Sequence, residues 1–142
     1  MGRAAILGAM LAMLAVITVI DTRYLIIPDW ITLPGTVVGL MGAAVWPPPG
    51  LWSALMGLVI SGAFFMLAAL ASRGRIGGGD IKLAGMIGAF LGWQGVSVAI
   101  LVALLACALI EGGRAARGLS GPIAFGPFLA FGATTVVIWG GY

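Results

Sequence analysis

Residues 83–110 read LAGMIGAFLGWQGVSVAILVALLACALI and contain no charged side chain. An apolar helix crosses a bilayer in about 20 residues, with a range of roughly 17 to 25. The stretch is therefore long for one crossing and short for two, and its reading decides how many spans the chain has. Gly92-Trp93-Gln94-Gly95 interrupts it. Two glycines with a Trp and a Gln have the composition of an interfacial turn. Dividing the stretch there predicts a fourth span before the break and a fifth after it.

Four more apolar segments lie outward of this stretch. The first is Ala4 to Ile20, after Arg3, and the second runs from about Trp30 to Trp46. Pro47-Pro48-Pro49-Gly50 breaks the chain, Leu51 to Ala71 follows, and Ile123 to Trp139 forms the last segment. The expected fold is an all-α polytopic membrane protein of about six transmembrane helices, with residues 1–142 as one membrane-embedded domain. Composition agrees: 62% of the 142 residues are hydrophobic and 8% charged, against about 25% charged in soluble domains. With a mean hydropathy of +1.20, the apolar surface is too large to hide inside a domain of this size, and lipid must cover much of it.

Charge supports the division. With six spans, the connections at 21–29, 72–82 and 111–122 fall on one side and hold Arg23, Arg73, Arg75, Lys82, Arg114 and Arg117. Arg3 alone falls opposite. The positive-inside rule puts these three connections in the cytoplasm and both termini outside. Five spans would move Arg114 and Arg117 to the wrong side. Topology and lipid anchoring thus account for the cations, Arg73, Arg75 and Lys82 included. The pI near 9.8 comes with no basic run or RNA-binding motif, so nucleic acid is not an expected partner. Arg3 before an apolar core has the look of a secretory signal, but the core is long and the small-residue cleavage pattern unclear, so a retained span is expected.

Small residues recur at four-residue spacing, as in Gly88 with Gly92 and Gly57 with Ser61, and would allow close helix contact in lipid. Trp30, Trp46, Trp52, Trp93 and Trp139 stand near expected helix ends, where an aromatic belt accounts for them.

The chain has no histidine and a single cysteine, Cys107. That excludes a Ser–His or Cys–His nucleophile, an intrachain disulfide and a Cys/His zinc set, so neither a metal nor another cofactor is expected. All four acids, Asp21, Asp29, Asp80 and Glu111, fall on the expected cytoplasmic side. Glu111 is placed to pair with Arg114 at i,i+3. Asp21 follows the first apolar segment and Asp80 precedes the fourth. An acid at that depth is costly and marks a functional site or a paired charge. Gly77-Gly78-Gly79 before Asp80 leave the backbone permissive and free of side chains. The same pattern serves a loop and a helix N-cap, with Asp80 accepting from the first amides. It is no P-loop, because the GxxxxGK[ST] spacing is absent. If two such carboxyls meet, like-charge repulsion makes them share a proton. One then takes a proton from water while the other gives one up, which is the aspartic protease arrangement.

Three stretches resemble the type IV prepilin peptidases. Ile20-Asp21-Thr22-Arg23-Tyr24-Leu25-Ile26-Ile27-Pro28-Asp29 resembles their first motif, Gly77-Gly78-Gly79-Asp80-Ile81-Lys82-Leu83 their GxGD motif, and Ile123-Ala124-Phe125-Gly126-Pro127-Phe128-Leu129-Ala130 the opening of their final helix. The resemblance covers most of the chain. It implies an aspartyl endopeptidase of the bacterial cytoplasmic membrane that removes a short basic leader from prepilins or pseudopilins. Cleavage follows a Gly, just before the pilin's apolar helix. Asp21 and Asp80 would be the catalytic pair, with Asp29, Gly77, Gly79 and Lys82 supporting. Many members also carry a module with two CxxC pairs between the first spans and methylate the new N-terminus. Here those connections are short and Cys107 stands alone, so methyl transfer and structural zinc are not expected.

Packing the first span beside the fourth is expected to bring Asp21 and Asp80 to one depth. Asp29 should cap or orient the start of the second span, and Lys82 is near enough in sequence to pair with Asp80. Competing readings are a non-catalytic membrane assembly factor, against which the intact acids argue, and a small proton or ion transporter. The transporter would want its acids at the bilayer midplane. A GxGD protease that cuts within helices would share the chemistry but not the Ile27-Pro28-Asp29 run.

Overall fold

A computed structural model describes residues 2–24, 29–45, 50–71, 78–118 and 126–139. Those residues form helices α1 (Gly2–Tyr24), α2 (Asp29–Val45), α3 (Leu51–Ala71), α4 (Gly78–Ala116) and α5 (Gly126–Trp139). Within α4 the helix is broken at Gly92, whose φ of 78° and ψ of 175° lie where L side chains are strained and glycine is not. The break divides α4 into α4a (78–91) and α4b (93–116), at the place the uncharged stretch predicts. The third segment has the bounds expected of it. α1 differs: it does not stop at Ile20 but continues through Asp21 to Tyr24, because a charged side chain ends an apolar run without ending the hydrogen-bond ladder.

α1, α3 and α4 are long and apolar enough to cross a membrane, and α2 and α5 are shorter apolar helices. None has a strong polar face: Val59, Leu67, Leu70, Leu105 and Ile138 all point outward. Apolar surface on that scale is stable only against lipid, and the protein is an all-helical membrane protein. Trp30, Trp52, Trp93 and Trp139 are exposed at or next to helix ends, as an aromatic belt requires; Trp46 lies outside the described residues.

Neighbouring residues fix the directions of the helices. Gly57 of α3 lies against Gly88 and Gly92 of α4, and the Ser61 hydroxyl reaches the Ala84 carbonyl at 2.9 Å. Numbers fall on one helix as they rise on the other, so α3 and α4a are antiparallel. A methyl group on Gly57 or Gly88 would strike the opposing backbone, so the small-residue pattern does serve close contact. α2 runs parallel to α4a, with Gly35 against Met86 and Gly39 against Ala89 and Phe90. α1 is antiparallel to α2, with Met13 near Gly35 and Ile6 near Gly42. The C-terminal end of α1 and the N-terminal ends of α2, α4 and α5 therefore meet at one end of the bundle.

Gly92 reverses the chain. Gly132 of α5 sits against the Ala99 carbonyl, about 9 Å below the start of α5 at 1.5 Å per residue. A straight α4 would carry Ala99 about 28 Å below Asp80, whereas a chain turning at Gly92 brings it back to about 8 Å. α4a is the centre of the molecule: every residue from 83 to 92 is buried, with α2 and α3 packed against it. Phe65, Phe90, Met10, Leu14, Leu83 and Met86 are the largest side chains closing this core.

Candidate active site

Asp21 lies one turn before the end of α1 and is 4% exposed. Its Oδ2 accepts a hydrogen bond from the Gly126 backbone N–H at 2.8 Å. The first N–H groups of a helix have no partner within it, and Asp21 supplies one for α5. Glycine is required at 126 because a Cβ there would meet the Asp21 carboxylate. Pro127, with no N–H to satisfy, suits the second position of the helix. Below this contact the α1–α5 seam opens into an apolar groove of about 480 Å³, lined by Leu14, Thr18, Pro127 and Phe131 among others.

Asp29 is the first residue of α2, where the helix dipole favours a carboxylate. Its Oδ2 lies 2.8 Å from the Lys82 Nζ, both side chains about half exposed at 54% and 44%. Lys82 thus ties α4a to α2. Lys82 is near Asp80 in sequence, but at two residues' spacing helical side chains point about 200° apart, and the partner its Nζ reaches is Asp29. Glu111 and Arg114 pair at 3.6 Å, as their spacing predicts.

Asp80 is the third residue of α4 and half-buried. It stands inside the first turn rather than at the N-cap. Its depth follows from the register. The α1–α2 neighbours put Asp29 level with residue 19 of α1, two residues short of Asp21, and the α2–α4a neighbours put Asp29 level with Asp80. Asp21 and Asp80 therefore lie within about one helical turn, roughly 5 Å, of the same depth. The route to that alignment is not the expected one. α1 touches α4 only at its margin, while α2 and α5 both pack against each of them. α5 can press between because Gly126 and Gly132 present no side chain to Asp21 and Ala99.

Gly79 is in the first turn of α4. Gly77, Pro28, Arg73, Arg75 and residues 123–125 lie outside the described residues. Two site features escaped the sequence reading. The Gly126 amide is a backbone group that no side-chain pattern advertises, although Gly126-Pro127 at a helix start hinted at a close approach. The Asp29–Lys82 pair spans 53 positions, too far for local spacing to reveal.

Two carboxyls carried on different helices to one depth can share a proton and activate a water without a metal. Residues 8–111 match the model of the type IV leader peptidase family. Among curated relatives, the chain is 30% identical to the prepilin leader peptidase/N-methyltransferase of Stutzerimonas stutzeri, over 94% of this chain and 50% of that protein. It is 34% identical to the protein of the same name from Pectobacterium carotovorum subsp. carotovorum, over 94% of this chain and 50% of that one. For the Aeromonas hydrophila counterpart the figures are 32%, 89% and 47%. The chain spans about half the length of these relatives. No solved structure matches it.

Proposed function

The chain belongs to the type IV leader peptidase family, and from that premise we propose that it is a membrane aspartyl endopeptidase with Asp21 and Asp80 as its catalytic pair. The single observation that carries the assignment of the pair is their common depth at one end of the bundle, on two different helices. In this reading a water lies between the carboxyls. The ionised member takes a proton as the water oxygen attacks the scissile carbonyl carbon, and the protonated member gives its proton to the carbonyl oxygen. The gem-diol intermediate then collapses: the C–N bond breaks, the amine leaves with a proton from the carboxyl protonated in the first step, and the other carboxylate takes a hydroxyl proton back. Gly126 fixes the aim of the Asp21 carboxylate throughout. Gly79, immediately before Asp80 in the first turn of α4, brings no side chain to the approach, and Gly77 matches the other motif glycine in sequence.

The substrates in this reading are prepilins or pseudopilins, cut between a basic leader and an apolar helix. The groove along α1 and α5 offers that helix an apolar seat directly below Asp21. The site faces the cytoplasm of a bacterial inner membrane, since Arg23, Lys82, Arg114 and Arg117 gather at the acid end. Reporter fusions after Arg117 should read as cytoplasmic and those after Trp139 as external. In this reading these residues carry the proteolysis, and methyl transfer is not expected of them. α1 ends at Tyr24 and α2 starts at Asp29, so a cysteine-rich module has no room between them.

Purified protein in detergent, given a prepilin-like peptide and read by mass spectrometry, should yield one cut after the leader glycine. Cleavage should persist in EDTA, because the sequence holds no histidine and one cysteine. An intact peptide, or activity lost in EDTA and restored by zinc, would overturn the proposal. Labelled methyl groups on the product, with this protein alone present, would overturn the restriction to proteolysis.

A further inference from the structure

The Asp29–Lys82 contact joins the first turns of α2 and α4 at 2.8 Å, two residues from Asp80. Exposed ion pairs add little to stability, because water screens them and two long side chains must be ordered. Location gives this one another use. Asp21 and Asp80 ride on helices that touch each other only marginally. Their relative placement is therefore transmitted through α2 and α5. On the α5 side, Asp21 is tied directly to the Gly126 amide. On the α2 side, Lys82 ties the turn bearing Asp80 to Asp29, and α2 packs on α1. The first glycine contact of α2 with α4a, Gly35 against Met86, lies about 9 Å deeper along α2. Gly79, just before Asp80, has no side chain with which to anchor the turn.

We propose that Asp29 and Lys82 are positioning residues, a clamp that holds the first turn of α4 against α2 and so keeps Asp80 in working register with Asp21. The proposal rests on the aspartyl peptidase reading. Neither residue touches the reacting atoms. Their influence reaches the chemistry through the backbone of one helical turn, where a shift of about 1 Å is enough to cost up to about 100-fold in rate.

The test uses the full chain and a prepilin-like peptide. Lys82→Met and Asp29→Asn should each lower kcat about 10-fold, a fraction of what misplacement can cost, with KM and Tm close to the unaltered protein. The exchanged variant, Asp29→Lys with Lys82→Asp, should regain most of kcat at its own pH optimum. Amide exchange over residues 82–86, whose N–H groups bond the carbonyls of the first turn, should quicken in the single variants and slow again in the exchanged one. An unchanged kcat in the single variants, an exchanged variant no better than either, or a rise in KM alone would overturn the clamp. Should the unaltered protein cut no peptide, the peptidase reading fails separately. Amide exchange then decides whether the clamp exists.

Discussion

α4a and α4b come from one uncharged stretch, yet they are apolar for different reasons. α4a is enclosed by protein on all sides, and its residues 84–89 include Ala84, Gly85, Gly88 and Ala89. There, small residues let α2 and α3 approach until backbone meets backbone. α4b turns Leu101, Leu104, Leu105 and Leu109 outward, toward lipid. Hydropathy cannot tell these surroundings apart, because acyl chains are as apolar as leucine. What distinguishes α4a is that Gly88 and Ala89 mark the faces where another helix backbone lies close while Leu83, Met86 and Phe90 fill the core; on α4b the large leucines face outward instead.

Substitutions can break or sharpen that contrast. The largest effect should fall on the acid that opens α4a and on its partner. Asp80→Asn or Asp21→Asn should cut the rate of leader cleavage by about 10³-fold or more, as losses of members of a catalytic set do. Thermal unfolding should shift little. If Asp80→Asn cleaves normally while Asp29→Asn is dead, the pair is misassigned. Next comes the seam itself: Gly88→Leu should destabilise by about 2–3 kcal/mol in reversible detergent unfolding, since Gly57 leaves no space. Ser61→Ala removes the hydroxyl bonded to the Ala84 carbonyl and should cost about 0.6 kcal/mol. Smallest is Leu105→Ala on α4b, within about 0.5 kcal/mol, because it exchanges one lipid contact for another. A large loss there would mean that α4b has a protein neighbour.

Hydropathy made the helices legible, and Gly92-Trp93-Gln94-Gly95 disclosed the reversal because glycine at positive φ is a local requirement with a local signature. The extension of α1 past Asp21 was not legible, since helix geometry tolerates a charge that an apolar run does not. Asp21, Asp29, Asp80 and Lys82 were all visible as candidates from their positions beside apolar segments. Their pairings were not. Lys82 reaches Asp29 through tertiary packing, and α1 took α5 rather than α4 as its direct neighbour through glycines whose role shows only once the helices are side by side.

The reversal at Gly92 also has unequal limbs. From Asp80 the chain descends about 18 Å to the turn, and α4b then climbs about 36 Å at the ordinary helical rise. The returning limb overshoots the aspartates by roughly three turns, and residues 108–118 are accordingly exposed almost throughout. The acid end is thus a ledge with a parapet on the α4b side, bearing Glu111 and Arg114 on its upper part. Among the described residues, α1 ends at Tyr24 and α2 begins at Asp29, within about one turn of the aspartates, so the α1–α2 side of the ledge stays low.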